Sequence, residues 1–282
     1  MTPRIWIVRK ALDNVGLKNA PVAPPAPRPE TGLSSMQRAK QLYLDLLKRC
    51  LSNVIYQDRS MLEGDRPFDL GRRVEGQDWP TQAHTMIGIH RLDNLHFCVE
   101  DVLARGVPGD LMETGVWRGG ATILMRAVLK VNGVTDRLVW VVDSFAGLPP
   151  PNPEKYPLDA PLTLNQFKEL AVSLEDVQRN FRRYDLLDDQ VRFLKGWFRD
   201  TLPGAPVKRL AVLRLDGDLY ESTMDALVHM YPKLSGGGYA IVDDYGDIPA
   251  CRQAVHDYRA QHGIDEEIMP IDGHGVFWRK ER

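Results

Sequence analysis

The stretch that decides the fold runs from Asp110 to Gly133 and reads DLMETGVWRGGATILMRAVLKVNG. Its first six residues form a short apolar run that predicts a β-strand, and the part from Gly119 onward has the apolar spacing of a helix. Gly115, Gly119 and Gly120 lie in the turn between them. Glycine lets the backbone of such a turn approach a ligand closely, although the spacing is not the GxGxxG of dinucleotide sites. The stretch therefore predicts a strand–turn–helix unit whose turn can face a ligand.

The same alternation of short apolar runs and helical segments continues to the C-terminus. It predicts an α/β fold, doubly wound and Rossmann-like, with a mostly parallel seven-stranded sheet covered by helices on both faces. Only DGHG separates the last two runs, so we expect them to pair antiparallel at one edge of the sheet. The predicted strands are DLMETG, RLVWVVDSF, QVRFLKG, RLAVLRLDGD, GYAIVDDY, EEIMPI and HGVFWRK.

Two further segments precede the sheet. Residues 1–35 contain NAPVAPPAPRPETG, which is too rich in proline for a helix or a central strand and predicts an N-terminal arm. Residues 36–108 predict a helical cap or oligomerisation segment with two helices, SSMQRAKQLYLDLLKRCLSNVIY and TMIGIHRLDNLHFCVEDVLARG. The apolar stripe of the first helix is Leu42, Leu46, Leu47 and Leu51. These segments lead us to expect a homodimer or a higher homo-oligomer.

Composition excludes several classes of function. The formal net charge is -2, which gives no electrostatic case for binding nucleic acid or anionic lipid. No apolar run approaches the roughly 20 residues that span a membrane, so we expect no membrane partner. The start, MTPRIWIVRKAL, lacks the continuous apolar core of a signal peptide. Cys50, Cys98 and Cys251 are few and widely spaced, which favours a reducing cytoplasm over a disulfide framework.

Four of the first five predicted strands end in an acidic side chain. In an open doubly wound sheet, ligands bind beyond the carboxyl ends of the strands, and carboxylates gathered there repel one another unless a ligand uses them. Asp143 ends the second predicted strand, 30 residues after Glu113, and it can accept both hydroxyl groups of a ribose. The chain has no Walker lysine pattern and no obvious phosphate cradle. A nucleoside without phosphates favours S-adenosylmethionine over NAD or ATP.

Two acidic pairs close the runs LRLDGD and AIVDD. If these strands are neighbours, about 4.8 Å apart, then Asp216, Asp243 and Asp244 meet at their ends. A divalent cation relieves their repulsion, and an all-oxygen ligand set selects Mg²⁺, with Mn²⁺ or Ca²⁺ as alternatives. Asp218 can then act as the general base for a hydroxyl group. The pattern leaves open the reverse assignment, in which Asp218 is a ligand and Asp216 lies behind it.

Six segments together resemble the macrocin O-methyltransferase family, which includes the sugar methyltransferases of macrolide and aminocoumarin antibiotic pathways. They are QAHTMIGIHRLDNL, GDLMETGVWRGGAT, VVDSFAGLPPP, QVRFLKGWFRDTLP, RLAVLRLDGDLYESTMDAL and IVDDY. The resemblance runs from about Met36 to the C-terminus. It implies a class I methyltransferase fold, with residues 109–282 as the S-adenosylmethionine-binding catalytic domain. It also implies a Mg²⁺-dependent enzyme that methylates a hydroxyl group of a (deoxy)sugar on a natural product such as a macrolide or aminocoumarin.

The resemblance also implies roles for individual residues. Asp216, Asp243 and Asp244 would bind the metal and Asp218 would be the base, in agreement with the assignment from the strand ends. The implied cofactor contacts are Thr85, Met86, Glu113, Thr114, Gly115, Val116, Trp117, Asp143, Ser144, Trp197 and Asp216.

The sequence also permits two other functions. Asp216 and Asp218 fit the DxD of a metal-dependent glycosyltransferase, although no basic cluster for a diphosphate lies nearby. A non-catalytic cofactor-binding scaffold is the second alternative. The long segment Ala146–Phe167 predicts a lid over the acceptor. We expect His84 to be a structural or surface histidine, and Asp247, an extra acid close to the metal pair, to be solvated.

Overall fold

The computed structural model describes residues 34–61 and 66–281, so the predicted N-terminal arm lies almost wholly outside the described residues. Within them, seven strands form one sheet in the order β3-β2-β1-β4-β5-β7-β6. The strands are β1 Asp110–Thr114, β2 Val139–Asp143, β3 Val191–Lys195, β4 Leu210–Leu215, β5 Leu234–Val242, β6 Met269–Pro270 and β7 Val276–Arg279. The doubly wound, mostly parallel sheet that the alternation predicts is confirmed.

Helices cover both faces of this sheet. They are α1 Ser35–Leu51, α2 Leu70–Val74, α3 Gly88–Ala104, α4 Gly120–Val131, α5 Leu174–Arg183, α6 Phe198–Thr201, α7 Tyr220–Met230 and α8 Pro249–His262. Helices α1, α3, α4 and α5 share one hydrophobic core with the sheet, and α7 and α8 share a second. Neighbouring strand residues alternate between the two cores, since Val212 belongs to the first and Leu213 to the second. The sequence did not predict the short helices α2 and α6.

The register of the central strands brings their carboxyl ends level. Thr114 pairs with Leu215, and Leu215 pairs with Val242. The strands that carry the two acidic pairs are therefore neighbours, as the metal-site prediction requires. Because β1 lies between β2 and β4, the strand order reverses beside it, and such a reversal opens a crevice at the carboxyl edge.

The C-terminal strands pair antiparallel, as predicted. Strand β7 also pairs antiparallel with β5, so it lies second from the edge and β6 is the outermost strand. Of the predicted run EEIMPI, only Met269 and Pro270 pair with β7. Proline has no N–H to donate, which confines it to the edge of a sheet and limits the pairing here.

Both N-terminal helices are shorter than predicted. The first ends at Leu51 and not at Tyr56, because Asn53 has a φ of 52°, in the left-handed region where helices commonly end. The second begins at Gly88, so residues 85–87 precede it in an irregular segment. Residues 85 and 86 of this segment are therefore free of the helix and can face the carboxyl edge of the sheet.

Helix α1 exposes half of its predicted apolar stripe. Leu47 and Leu51 are buried together with Leu44, whereas Leu42 and Leu46 are 65% and 55% exposed. The buried side chains pack in the same core as α4. Leu42 and Leu46 leave an apolar surface on α1. The homo-oligomer stays a prediction, which light scattering of the purified protein can test.

No helix in the described part of the chain combines the length and the apolar character needed to cross a membrane. Cys50, Cys98 and Cys251 are free thiols. Burial raises the pKa of Cys98 and Cys251 well above the usual value, so neither thiol is a candidate nucleophile.

Candidate active site

A cavity of about 780 Å³ opens at the carboxyl ends of the strands. Thirteen of the fourteen residues that the sequence pointed to line it. They are Thr85, Met86, Glu113, Gly115, Val116, Trp117, Asp143, Ser144, Trp197, Asp216, Asp218, Asp243 and Asp244. The exception is Thr114, which is fully buried within β1. The fold thus brings the predicted cofactor residues and the predicted metal residues into one cavity.

The turn after β1 packs tightly against its neighbours. Gly115 has a φ of 85°, and a Cβ atom there would lie 1.6 Å from the carbonyl oxygen of Asp216. The N–H of Gly120 donates to the carbonyl oxygen of His84 at 2.9 Å, and a Cβ at Gly120 would lie 2.5 Å from that oxygen. Only glycine fits at these two positions, so backbone and not side chains forms this wall of the cavity. The hydrogen bond between Gly120 and His84 also brings residues 85 and 86, which follow His84, beside the turn.

Asp143 closes β2 and holds the turn. Its carboxylate accepts hydrogen bonds from the backbone N–H groups of Val116 and Phe145, both at 2.8 Å. Burial raises the pKa of Asp143, although these backbone donors oppose the rise. Each carboxylate oxygen has a further lone pair, so Asp143 can still accept hydrogen bonds from a ligand in the cavity.

Trp117 links this turn to the segment that follows the predicted lid. It has a φ of 46°, which is uncommon for a bulky residue. Its indole N–H donates to the carbonyl oxygen of Glu169 at 2.9 Å, and the guanidinium group of Arg118 lies 4.1 Å from its ring centre. These contacts fix the ring at the rim of the cavity.

Glu113 carries an unsatisfied oxygen. Its Oε1 accepts a hydrogen bond from Arg214 Nη1 at 2.5 Å, while its Oε2 is buried and has no partner among residues 34–61 and 66–281. Burial raises the pKa of Glu113 to about 8, and the charge of Arg214 opposes the rise. A buried carboxylate oxygen without a donor destabilises a protein. The site therefore fits a ligand that brings an N–H or O–H group to this oxygen.

Three carboxylates lie close together at the ends of β4 and β5. Asp216, Asp218 and Asp244 each offer an oxygen within 4.8 Å of the others. Burial, followed by repulsion from neighbouring carboxylates, raises the pKa of Asp216 to about 6 and those of Asp218 and Asp244 well above the usual value. A divalent cation offsets such repulsion. Because all the donors are oxygen atoms, the residues fit a hard cation such as Mg²⁺.

Asp243 has different partners from the other predicted ligands. One of its oxygens accepts a hydrogen bond from Arg91 Nη1 at 2.5 Å, and the other pairs with Arg214. Asp218, and not Asp243, therefore completes the group of three close carboxylates. Two arginine contacts occupy two of about four lone-pair sites, so metal ligation by Asp243 is compatible with this geometry and stays a prediction.

Two arginines at the site, Arg214 and Arg91, were not predicted from the sequence. Arg214 is 1% exposed and contacts Glu113, Asp216 and Asp243. A signal was present, because a charged residue interrupts the apolar run of β4 two positions before Asp216, on the same face of the strand. Arg91 reaches the site from α3, and no local pattern links it to a residue so distant in the chain.

The segment Ala146–Phe167 forms part of the cavity wall. Buried Asp159 fixes it, since its carboxylate accepts hydrogen bonds from the backbone N–H groups of Tyr220 at 2.6 Å and Glu221 at 3.1 Å. This contact caps α7, whose own N-cap residue forms no side-chain cap. The lining residues of the segment are Gly147, Leu148, Pro149, Pro157, Leu158, Pro161, Leu162, Thr163, Leu164 and Phe167. Its role as a lid over the acceptor remains a prediction.

Asp247 is more than a solvated acid. It lines the cavity and pairs with His274, whose Nδ1 lies 2.5 Å from Asp247 Oδ2. Burial lowers the pKa of His274, but the hydrogen bond and charge of Asp247 outweigh burial and raise it. The side chain of Asp247 is 46% exposed, so the expectation of solvation is met only in part.

His84 does not line the cavity and has a structural environment, as expected. Its Nδ1 lies 2.7 Å from the hydroxyl oxygen of Tyr184, and the two rings meet edge to face. Burial, followed by the positive charges of Arg183 and Arg118, lowers the pKa of His84 from 6.5 to about 4.

We predict that this histidine makes the protein less stable as the pH falls from 6.5 to about 4. The unfolded chain binds a proton at His84 below pH 6.5, whereas the folded chain binds it only near pH 4. Stability that is present above pH 6.5 is therefore lost across this window, by at most about 3 kcal/mol. Urea unfolding at about pH 7 and about pH 4.5 measures the loss. His84→Gln does not titrate there and should lose less, so equal losses for the two proteins would contradict the prediction.

One family of methyltransferases matches most of the chain. The macrocin-O-methyltransferase (TylF) family matches residues 40–280. Mycinamicin III 3''-O-methyltransferase from Micromonospora griseorubida is 58% identical over 246 residues, which cover 85% of this chain and 96% of that protein. The 8-demethyl-8-(2,3-dimethoxy-alpha-L-rhamnosyl)-tetracenomycin-C 4'-O-methyltransferase from Streptomyces olivaceus is 59% identical over 244 residues, which cover 86% of this chain and 93% of that protein.

A solved structure supports the same relationship. The O-methyltransferase NovP superposes with a TM-score of 0.84 at 55% identity, and the match covers 86% of this chain and all of that one. This match confirms the class I methyltransferase fold, and the relatives are O-methyltransferases and not glycosyltransferases. The chain therefore belongs to the macrocin-O-methyltransferase (TylF) family of O-methyltransferases.

Proposed function

We propose that this protein is a Mg²⁺-dependent enzyme that transfers a methyl group from S-adenosylmethionine to a hydroxyl group of a (deoxy)sugar on a natural product such as a macrolide or aminocoumarin. The names of two relatives support this class of acceptor, since one acts on mycinamicin III and the other on a rhamnosyl tetracenomycin. The observation that carries the proposal is that the glycine turn and Asp143 line the same cavity as the carboxylates of Asp216, Asp218 and Asp244. Direct transfer between two bound molecules requires such neighbouring sites.

The cofactor would supply the activated methyl group, and this chain would bind and orient it. In the proposal, Asp143 accepts the ribose hydroxyl groups. Glu113 Oε2, which has no donor among the described residues, accepts a hydrogen bond from the amino group of the methionine part. The turn at Gly115 lets the backbone approach the ligand closely. Thr85, Met86, Val116, Trp117, Ser144, Trp197 and Asp216 complete the proposed contacts, and Thr114 supports them from within β1.

The proposed metal ligands are Asp216, Asp243 and Asp244. A divalent cation bound there supplies Lewis-acid chemistry, because it lowers the pKa of a nearby hydroxyl group. The raised pKa values of Asp216 and Asp244 support the assignment, since a cation would offset the repulsion that raises them. Arg214 contacts both Asp216 and Asp243 and keeps these side chains side by side.

Asp218 is the proposed general base. A carboxylate with an ordinary pKa of about 4 is a weak base for an alcohol. Burial is the largest cause that raises the pKa of Asp218 above that value, and burial persists when a cation lies nearby, so Asp218 accepts a proton more readily than an exposed carboxylate does. No ion pair holds the side chain of Asp218 among residues 34–61 and 66–281, in contrast to Asp216 and Asp243.

A methyl-transfer assay tests the proposal. Purified protein is incubated with methyl-labelled S-adenosylmethionine and a panel of deoxysugar glycosides, and S-adenosylhomocysteine is titrated into it by calorimetry. We expect S-adenosylhomocysteine to bind and the label to appear on one glycoside hydroxyl group. A protein that does not bind the product would contradict the cofactor assignment. Binding without transfer to any glycoside would contradict the sugar acceptor.

A further inference from the structure

Glu221 lies in the first turn of α7 and lines the cavity. Its side chain is 8% exposed, and its Oε2 has no hydrogen-bond partner within the described ranges. Its Oε1 forms an ion pair with Arg199 Nη1 at 3.6 Å, a distance that is too long for a hydrogen bond. A buried carboxylate oxygen without a donor destabilises the folded chain, so this site is incomplete until a ligand brings a donor to it.

Helix capping does not account for this side chain. An acidic residue in the first turn commonly accepts hydrogen bonds from backbone N–H groups of its own helix. In α7 the carboxylate of Asp159 takes that role, because it accepts from the backbone N–H groups of Tyr220 and Glu221. The Glu221 carboxylate is therefore not needed for the cap, and its Oε2 keeps an acceptor position that no described residue uses.

A second carboxylate lies one turn further along the helix. Asp225 is four residues after Glu221, on the same face of α7, and it also lines the cavity. Burial, followed by the charge of Glu221, raises the pKa of Asp225 to about 6, although Lys155 and Arg199 oppose the rise. This part of the wall is thus rich in hydrogen-bond acceptors. Neither residue belongs to the proposed cofactor or metal sites.

The remaining wall is apolar where the segment Ala146–Phe167 contributes Pro157, Leu158 and Leu162. Ligand sites commonly combine apolar surface with a few polar groups that fix orientation. A sugar matches this combination, because its ring carbons contact apolar side chains and its hydroxyl groups donate hydrogen bonds. A carboxylate accepts such bonds more strongly than a neutral group does.

We propose that Glu221, supported by Asp225, accepts hydrogen bonds from sugar hydroxyl groups that are not methylated, and that it thereby selects the acceptor. The inference rests on the proposed function for the class of ligand, a glycoside. Glu221 is a specificity-determining residue here and takes no part in the removal of the proton.

Glycoside binding to the protein loaded with S-adenosylhomocysteine tests this inference. The probe is the deoxysugar glycoside that binds most tightly in calorimetry, together with analogues that each lack one hydroxyl group. Glu221→Gln should weaken binding of the probe about tenfold, because a hydrogen bond to a charged acceptor becomes one to a neutral acceptor. For the analogue that lacks the bonded hydroxyl group, Glu221→Gln and the unchanged protein should bind equally. Glu175→Gln, an exposed first-turn glutamate of α5, is the matched control.

Binding and methyl transfer are measured separately, so the inference and the proposed function can fail independently. Equal binding of the probe by Glu221→Gln and the unchanged protein would overturn the inference, and so would a protein that binds no glycoside at all. Glycoside binding that depends on Glu221, without any methyl transfer, would support the inference and contradict the proposed function. The affinity for S-adenosylhomocysteine should stay unchanged in Glu221→Gln. If that affinity falls, Glu221→Asp is measured in place of Glu221→Gln. Binding of the probe should again weaken, because the shorter side chain lies further from the hydroxyl group.

Discussion

Asp218→Asn is expected to lower the rate of methyl transfer by roughly 100- to 10,000-fold, the range that general-base catalysis contributes. The amide keeps the size of the side chain but cannot accept the proton of the acceptor hydroxyl group. Single-turnover transfer of the labelled methyl group measures the loss. The affinity for S-adenosylhomocysteine should remain within about twofold, because Asp218 is not a proposed cofactor contact.

This variant also separates the two assignments that the sequence leaves open. If Asp218 is the base, then Asp218→Asn keeps its affinity for Mg²⁺ and Asp216→Asn loses it. If Asp218 is a ligand, as its place in the close group of three carboxylates permits, then Asp218→Asn loses Mg²⁺ as well. Asp200→Asn serves as the matched control, because that side chain is 63% exposed. A transfer rate for Asp218→Asn within threefold of the unchanged protein would contradict both roles.

Arg214→Met is expected to lower the free energy of unfolding by about 3–5 kcal/mol, which is the cost of removing one partner of a buried ion pair. Arg214 is 1% exposed and contacts the carboxylates of Glu113, Asp216 and Asp243. Methionine has similar length but no charge, so the substitution would leave buried carboxylates without their cation. Urea unfolding followed by circular dichroism measures the loss.

Two further proteins control for this prediction. Arg209→Met changes an exposed arginine just before β4 and should alter stability by less than about 0.5 kcal/mol. Adding Glu113→Gln to Arg214→Met removes a buried carboxyl group that has lost its partner and should recover part of the lost stability. A loss below about 1 kcal/mol for Arg214→Met would show that the carboxylates do not depend on this arginine.

The acids at the strand ends could be placed from the sequence alone. Parallel strands end at one edge of a sheet, so residues that follow the apolar runs of β1, β2, β4 and β5 must lie near one another. The register of Leu215 with Val242 meets this expectation. The glycine turn could also be placed, because glycine between a strand and a helix lets the backbone pack closely. The structure agrees, since only a residue without a Cβ atom fits at Gly115.

The partners of those acids could not be placed in this way. Arg91 pairs with Asp243, which lies 152 residues further along the chain, and such contacts depend on how α3 packs on the sheet. Asp159 caps α7 from a loop whose own pattern gives no position for it. The periodicity of α1 indicated an apolar stripe but not which part of it faces the core, so the exposure of Leu42 and Leu46 differed from the expectation.

Metal dependence is the central claim that the sequence and the fold leave to experiment. The most direct measurement is the rate of methyl transfer by protein stripped with EDTA, dialysed, and then titrated with Mg²⁺ in the presence of S-adenosylmethionine and the glycoside acceptor. We predict a rate close to zero without metal and a saturable recovery as Mg²⁺ is added. A full rate in protein whose metal content has been shown to be negligible would contradict the metal-dependent mechanism.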